Sequence, residues 1–484
     1  MHVGIDLGTG SVKILAVSRD GRESSASRAY SVAAPSPGYA ETEPTAWLYA
    51  IHEAYADLGL EEKVGAGGVD SVGLSGQMHG IVPISLREGA IGPAILWADQ
   101  RGKDTLPAFS ALPAEMLSRL MNSPAAGMAA TTILWLKRNR PDLYASADFF
   151  LFPKDYIRWV LTGTIATDFS DASGSLLFDF LDRSWYVALL EALELDVGKL
   201  PPIRSSWEFA GRVIASGAAL TGLPEGAPVA VGAGDTPSAI LGSGLTDRSR
   251  LQVSIGTGSQ VVRLCTEAPA YDPALNLFVS ATPGFLCRVA AMLNGGLALE
   301  WVRGIVGMGW DEVYSEIEDR GLSPPFDLIF LPYLSGERCP YLNPDARGVW
   351  SGLGLHHGRI DLVYAALLGV GCAVRLGVET IGTEGVEGYR FVGGSSKYPY
   401  WNSLLASILG STLEVCDRTE SSALGAAILG ARAISLSLPI HASYERVEPR
   451  RLKGIDEYYA RFKDTYRSLD AVRQRREARS IMGI

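Results

Sequence analysis

Apolar and polar positions along this chain switch repeatedly between a period of two and a period near 3.6. The first residues, Val3-Gly4-Ile5-Asp6-Leu7, are β-forming. A Gly8-Thr9-Gly10-Ser11 tip follows, then a second β-forming run through Val12 and Lys13. This predicts a hairpin. Residues 251–262 repeat the arrangement: strand, Gly256-Thr257-Gly258-Ser259 tip, strand. Two copies, one in each half, predict a duplicated unit.

Between the hairpins the spacing predicts a helix over 43–60, with Thr45 as its cap and Trp47, Ile51, Tyr55 and Leu58 on one face. Strands are expected at 69–74, 81–85, 94–97 and 229–231, and helices at 129–138, 143–147 and 154–161. A charged break at 246–248 precedes the second half. Strands at 290–293, 328–331 and 389–392 follow there, with helices at 297–306, 401–409 and 423–433. A long helix over 361–380 is apolar on most faces and is therefore expected to be buried. The tail, 455–479, places Ile455, Tyr459, Phe462, Tyr466, Leu469 and Val472 at helical spacing and reads as a packed terminal helix. Strands alternating with helices make the fold class α/β. Glycine and polar clusters follow strand after strand, and ligands in such folds gather beyond the carboxyl ends of strands.

Size and composition narrow this. With 484 residues, two large domains are expected. Hydrophobic content of 47% and charged content of 20% fit a globular protein, and a net charge of −10 disfavours nucleic acid as a partner. The five scattered cysteines form no C-x-x-C pair, so neither a disulfide framework nor a zinc site is expected, and a cytoplasmic setting is. Residues 1–18 do not read as a signal peptide, and the apolar runs are too short and glycine-rich to suggest a bilayer span.

The tips carry the candidate chemistry. A tight glycine turn, with backbone at positive φ, can aim several N–H groups at one anion. Thr9, Ser11 and Lys13 add donors, and Asp6 beside them suits a divalent cation shared with a phosphate. Asp235 follows an apolar strand in Gly234-Asp235-Thr236. It fits either a helix N-cap or the acceptor of a hydroxyl proton in phosphoryl transfer. Gln77-Met78-His79 at a strand end suits a small polyol or an ordinary turn. Trp97 is expected to be partly core. Asp99 either holds a hydroxyl or pairs with Arg101, and Glu337 with Arg338 reads as an internal ion pair. Gly295-Gly296 and Gly393-Gly394 are places where backbone can lie against a nucleotide. No P-loop sequence is present.

The ordered segments Gly4–Thr9, Gly76-Gln77-Met78-His79-Gly80, Pro93–Trp97, Pro153-Lys154-Asp155-Tyr156 and Leu331–Arg338 resemble the FGGY carbohydrate kinases, and among them the xylulokinase branch. The resemblance runs to about Ala433. It implies an actin/hexokinase-like fold, a duplicated pair of RNase H-like domains around a central cleft, with 1–245 as the N-terminal domain, 246–440 as the C-terminal domain and 441–484 as a helical tail. It implies ATP, Mg²⁺ and phosphorylation of the terminal hydroxyl of a ketopentose, D-xylulose first, with ribulose, a deoxyketose or a polyol as alternatives. A homodimer is also implied.

By position, Asp235 matches the catalytic base, and Asp6 with Asp235 the metal carboxylates. Gln77, Met78, His79, Trp97, Asp99 and Thr236 match the sugar side. Gly8, Thr9, Ser11, Lys13, Gly256, Thr257, Gly296, Glu300, Gly393, Gly394 and Tyr398 match the nucleotide side. The chain departs from the family pattern at Ala98, Thr132, Thr236, Leu368, Ser395-Ser396-Lys397 and Pro399, which leaves the sugar open. A non-sugar actin/Hsp70-like ATPase is the alternative from another class. Gln77-Met78-His79, Trp97 and Asp99 favour a small-molecule pocket over it.

Overall fold

The first hairpin is the centre of a sheet. Strands β1 (His2–Leu7) and β2 (Ser11–Val17) pair antiparallel, closing at Leu7 opposite Val12. In the computed structural model, which describes residues 1–60, 68–321, 324–416, 420–439 and 443–481, β3 (Glu23–Ala29) extends the sheet beyond β2. On the other side β4 (Ser71–Gly76) runs parallel to β1, with Asp6 opposite Ser75. Strands β5 (Phe209–Arg212) and β6 (Pro228–Ala230) complete the order β5-β6-β4-β1-β2-β3, and the short β7 (Ala233–Gly234) also pairs β4.

The second hairpin repeats this plan. Strands β8 (Arg250–Ile255) and β9 (Ser259–Cys265) pair antiparallel, and β10 (Leu286–Met292) lies outside β9. Strand β11 (Gly388–Val392) runs parallel to β8, followed by β12 (Leu413–Cys416) and the edge strand β13 (Tyr444–Val447). The run β10-β9-β8-β11-β12 therefore repeats β3-β2-β1-β4-β6, antiparallel on one side of the central strand and parallel on the other. The chain divides into two units. One is Met1–Thr246 with Leu264–Cys287 and Glu420–His441; the other is Asp247–Arg263 with Arg288–Thr419 and Ala442–Ile484. The expected boundary at 440/441 lies outside the described residues.

In the first unit, the helix Ser421–Ala433 packs on β1 and β4 through small residues. A Cβ on Gly4 would lie 1.9 Å from the Ala423 carbonyl oxygen, and one on Gly73 would lie 1.7 Å from that of Ala426. In the second unit, Arg359–Ile381 is long and apolar enough to cross a membrane by length and composition, against the expectation from the sequence. Yet 78% of its apolar window is buried within the protein, so it is a core helix. The helix expected at 43–60 is Pro44–Asp57. Thr45 does not cap it; Glu43 is the N-cap and makes no side-chain cap bond, and Pro44 opens the first turn with its fixed φ.

Candidate functional site

The first tip turns with Gly8 N–H donating to the Ser11 carbonyl (3.0 Å). The expected positive φ is absent: none of Gly8, Gly10, Gly256 and Gly258 lies in the left-handed region. These glycines serve by lacking a side chain. Gly10 and Gly256 face open space, while a Cβ on Gly258 would lie 2.6 Å from the Met292 carbonyl oxygen. The Lys13 ammonium lies 3.3 Å from a Glu420 carboxylate oxygen and is 41% exposed, which leaves N–H groups open for an anion.

Asp6 leaves the end of β1 beside Ser75, whose hydroxyl donates to Oδ1 (2.9 Å). Burial pushes the Asp6 carboxyl up to about 6. Two strands across, β7 runs directly into the helix Asp235–Gly242. Asp235 is the first helical residue and Gly234 the N-cap, so the capping role is not the one Asp235 fills. Its Oδ1 accepts the Thr236 N–H at 2.6 Å. Burial, then the charge of Asp6, lifts its carboxyl to about 7. Two carboxylates thus sit near one another at the carboxyl ends of two strands that flank β4, each with one oxygen committed.

Met78 is buried against Gly234, the residue before Asp235: a Cβ on Gly234 would lie 2.6 Å from Met78 Cγ. Gln77 is buried alongside, its backbone N–H donating to the Leu7 carbonyl (2.8 Å) and its Oε1 without a hydrogen-bond partner. His79 has φ of 72°, rare for a residue with a side chain, and its Nδ1 lies 2.8 Å from the Gly174 carbonyl oxygen. Trp97 is not core as expected. It is 43% exposed, and its indole N–H donates to Thr9 Oγ1 (2.8 Å), tying it to the first tip. Asp99 is corrected as a sugar ligand. It is fully buried; its oxygens accept from Arg101 Nε (2.8 Å), another Arg101 nitrogen (2.8 Å) and the Ala40 N–H (2.7 Å), leaving none for a hydroxyl. Thr236, half-buried beside Asp235, stays within reach of the same site.

Behind Gly76 and Gly234 lies a buried ionic cluster that the sequence reading did not find. Lys154 Nζ reaches Asp155 Oδ1 (2.7 Å), Asp171 Oδ2 (2.9 Å) and Asp168 Oδ1 (3.0 Å). Arg158 pairs with Asp155 (2.7 Å) and donates to the Val231 carbonyl (2.9 Å). Burial opposes the Lys154 charge, but the three carboxylates outweigh it and hold the ammonium above lysine's usual range. Burial pushes Asp171 well above the carboxylate range. The available signal was the charged trio Lys154, Asp155 and Arg158 in an otherwise apolar helix, with Asp168 and Asp171 three residues apart.

In the second unit three glycine turns converge on the second hairpin. Gly256 N–H donates to the Gly258 carbonyl (2.9 Å). Gly296 N–H donates to the Gly256 carbonyl (2.7 Å) and Leu297 N–H to that of Thr257 (3.0 Å), so the first donors of the helix Gly296–Val306 are taken by the tip. With that N–H taken, what Gly296 offers a nucleotide is close backbone approach, the role expected for it from the sequence. Gly393 has φ of 103°, Gly394 faces open space, and Ser395 Oγ donates to the Ile255 carbonyl (2.8 Å). Glu300 is spent on Trp310 Nε1 (2.6 Å) and on Arg303 (2.6 and 2.9 Å), and Tyr398 stacks on Tyr314 with ring centres 4.7 Å apart. Glu337 and Arg338 do not pair through their side chains as expected. The Glu337 carboxylate accepts the backbone N–H groups of Leu293 (2.7 Å) and Arg338 (2.8 Å), pinning the loop before Gly295-Gly296.

The oxygen-only pair Asp6 and Asp235, each with an uncommitted oxygen and each lifted by burial, fits a hard divalent cation that keeps most of its other ligands from water and phosphate. Asp327, His356 and His357 also bring three ligand atoms within 4.8 Å of one another in the second unit. There the Gly354 N–H donates to His357 Nδ1, which leaves the proton on Nε2 and blocks that nitrogen as a ligand.

Comparison with known proteins follows the same lines. Residues 1–242 match the N-terminal domain model of the FGGY family of carbohydrate kinases, and residues 251–434 match its C-terminal domain model. A xylulose kinase of Escherichia coli (strain K12) is 32% identical over 419 residues, 86% of each chain. The crystal structure of a xyloylose kinase from Brucella ovis is 31% identical, with a TM-score of 0.88 over 97% of this chain and 99% of that one. That of a xylulose kinase from Rhodospirillum rubrum, 24% identical, gives 0.89 over 97% and 99% and speaks to the fold.

Proposed function

The chain belongs to the FGGY family of carbohydrate kinases, and we propose that it transfers the γ-phosphoryl group of ATP to the terminal hydroxyl of a ketopentose, D-xylulose first. The observation that carries this is the pair Asp6 and Asp235, lifted by burial at the ends of the two strands that flank β4, with Met78 packed on Gly234 and Gln77 beside them. The relatives named as xylulose kinases favour that sugar. Thr236 and Ala98 leave ribulose, a deoxyketose or a polyol as competitors.

In this reading Asp235 accepts the proton of the attacking hydroxyl as the oxygen meets phosphorus in line. Asp6 and Asp235 would hold Mg²⁺, which supplies charge neutralisation at the phosphates. Gly8, Thr9 and Ser11 are assigned to phosphate contacts. Gly256, Thr257, Gly393, Gly394 and Tyr398 are assigned to the nucleotide, and Gln77, Met78, His79, Trp97 and Thr236 to the sugar.

An ADP-release assay over a panel of ketoses and polyols tests the substrate. D-xylulose should give the highest kcat/KM, and ADP release without dependence on any sugar or polyol would overturn the reading. Asp235→Asn should lower kcat by about a hundredfold or more; near-normal turnover in a folded variant would remove Asp235 from the role.

A further inference from the structure

The stretch from Val231 to Gly234 leads into Asp235 and is held at three points, two of them by Arg158 of the buried ionic cluster and by a serine hydroxyl bonded to that cluster. The Val231 carbonyl accepts from Arg158 (2.9 Å). Gly232 N–H donates to the Ser206 carbonyl (2.9 Å). Gly234 N–H donates to Ser170 Oγ (2.9 Å). That hydroxyl donates onward to Asp168 Oδ2 (2.6 Å), while Lys154 holds the other oxygen, Oδ1 (3.0 Å). Ser206 also donates to Oδ2 (2.7 Å) but its hydroxyl does not reach Gly234.

All five charged members are buried at 1% exposure or less. Lys154 faces three carboxylates, hydrogen-bonding Asp155 Oδ1 and pairing by charge with Asp168 and Asp171. A simpler core would be apolar, since replacing buried ion pairs with hydrophobic packing is often neutral or stabilising. What apolar side chains cannot do is fix the direction of a hydroxyl. Asp168 fixes that of Ser170, whose lone pair then meets the Gly234 N–H. The far end of the same short helix, Phe169–Ser173, is followed by Gly174, whose carbonyl lies 2.8 Å from His79 Nδ1.

We propose that Lys154, acting through Asp168 and the Ser170 hydroxyl, is a positioning residue that fixes the Gly234 peptide and so aims the Asp235 carboxylate at the reacting hydroxyl. This rests on Asp235 being the base. Lys154 touches no part of the reacting centre; its effect travels through one ion pair and two hydrogen bonds.

Lys154→Met would leave three acids facing one guanidinium and would test folding first, so the relay is read at Ser170. In the full-length enzyme, Ser170→Ala should lower kcat about tenfold, with KM for ATP within about twofold and a circular dichroism spectrum like that of the parent. Ser206→Ala, which strips the same carboxylate oxygen of its other hydroxyl, should keep kcat within about twofold. Combined with Asp235→Ala, Ser170→Ala should cost nothing further, because a carboxylate that is gone cannot be misaimed. Equal losses in Ser170→Ala and Ser206→Ala, or a Ser170 loss that persists in full on the Asp235→Ala background, would overturn the relay. If Asp235→Ala alone keeps near-normal kcat, it is the assignment of the base that falls. Should Ser170→Ala not fold, Ser170→Thr restores the hydroxyl, and its recovery of both fold and kcat, or its failure to recover kcat once folded, decides the matter.

Discussion

Ionising Asp235 where it sits is unfavourable, which suits the role of base proposed for it. Its carboxyl is held near 7 instead of the usual 3.8, by burial and then by Asp6. A base must be unprotonated to act, so kcat/KM should rise with pH through an apparent midpoint near 7 and level off above it. A profile flat from pH 5.5 to 8 would contradict this. The stability sign is opposite. The folded state binds this proton more tightly than the unfolded chain, so the contribution favours folding at low pH and is lost as pH rises through about 7. The penalty at pH 8 is on the order of 4 kcal/mol. Asp235→Asn should therefore melt higher than the parent at pH 8 while losing turnover. Asp99 makes the contrast. Its charge is met by Arg101 and the Ala40 N–H, so Asp99→Ala strands a buried guanidinium beside Glu41 and should cost about 3 kcal/mol or more in denaturant unfolding. A loss under about 0.5 kcal/mol would show the pair to be incidental. Asp235 was legible in the sequence because glycine and an apolar strand isolate it. The pairing of Asp99 with Arg101 was legible as one of two roles; the Ala40 backbone donor, 59 residues away, was not, because composition does not mark it.

Among the elements, the helix Ser421–Ala433 is where sequence and packing meet most tightly. It lies so near β1 and β4 that the backbone itself fills the space a side chain would take. Gly73→Ala would set a methyl 1.7 Å from the Ala426 carbonyl oxygen, an atom that cannot rotate away. The sheet or the helix must shift, and β4 carries Ser75, the partner of Asp6. The variant should lose about 3 kcal/mol or more in denaturant unfolding and also lower kcat; unchanged values for both would refute the close packing. The hairpins, the helix over 359–381 and the tail were legible from period alone, because each is long or closed by glycine. The glycine tips were legible as turns but not in their backbone conformation. What the glycines supply there is open space and close approach, which leave no periodic trace. The ionic cluster went unread because its members come from two helices and the short strand between them, and only folding sums their charges.

At the scale of the molecule, the duplication read from two glycine tips appears as two sheets of matching strand order, and the tail belongs to the second of them. The helix Ile455–Ile481 buries Tyr458, Tyr459, Phe462 and Tyr466. Tyr466 stacks on Tyr341 with ring centres 3.7 Å apart, and its hydroxyl, with Asp470, accepts from Asn343 Nδ2 at 2.9 Å each. Asn343 in turn exchanges backbone hydrogen bonds with Glu337 (2.8 Å each way), and Glu337 pins Leu293 just before Gly295-Gly296. The tail therefore braces, at three removes, the loop that faces the second tip. Its periodicity announced a packed helix, yet nothing in the sequence pointed to the 335–346 loop as its partner. Four buried aromatic side chains contribute on the order of 8 kcal/mol, comparable to the whole stability of a domain. Truncation after Lys453 should leave the second unit unfolded, seen as loss of a cooperative melting transition. Asn343→Ala is the finer probe. It cuts the brace and leaves the core intact, so it should raise KM for ATP several-fold with KM for the sugar within about twofold. A rise in both, or in neither, would separate the tail from the nucleotide side.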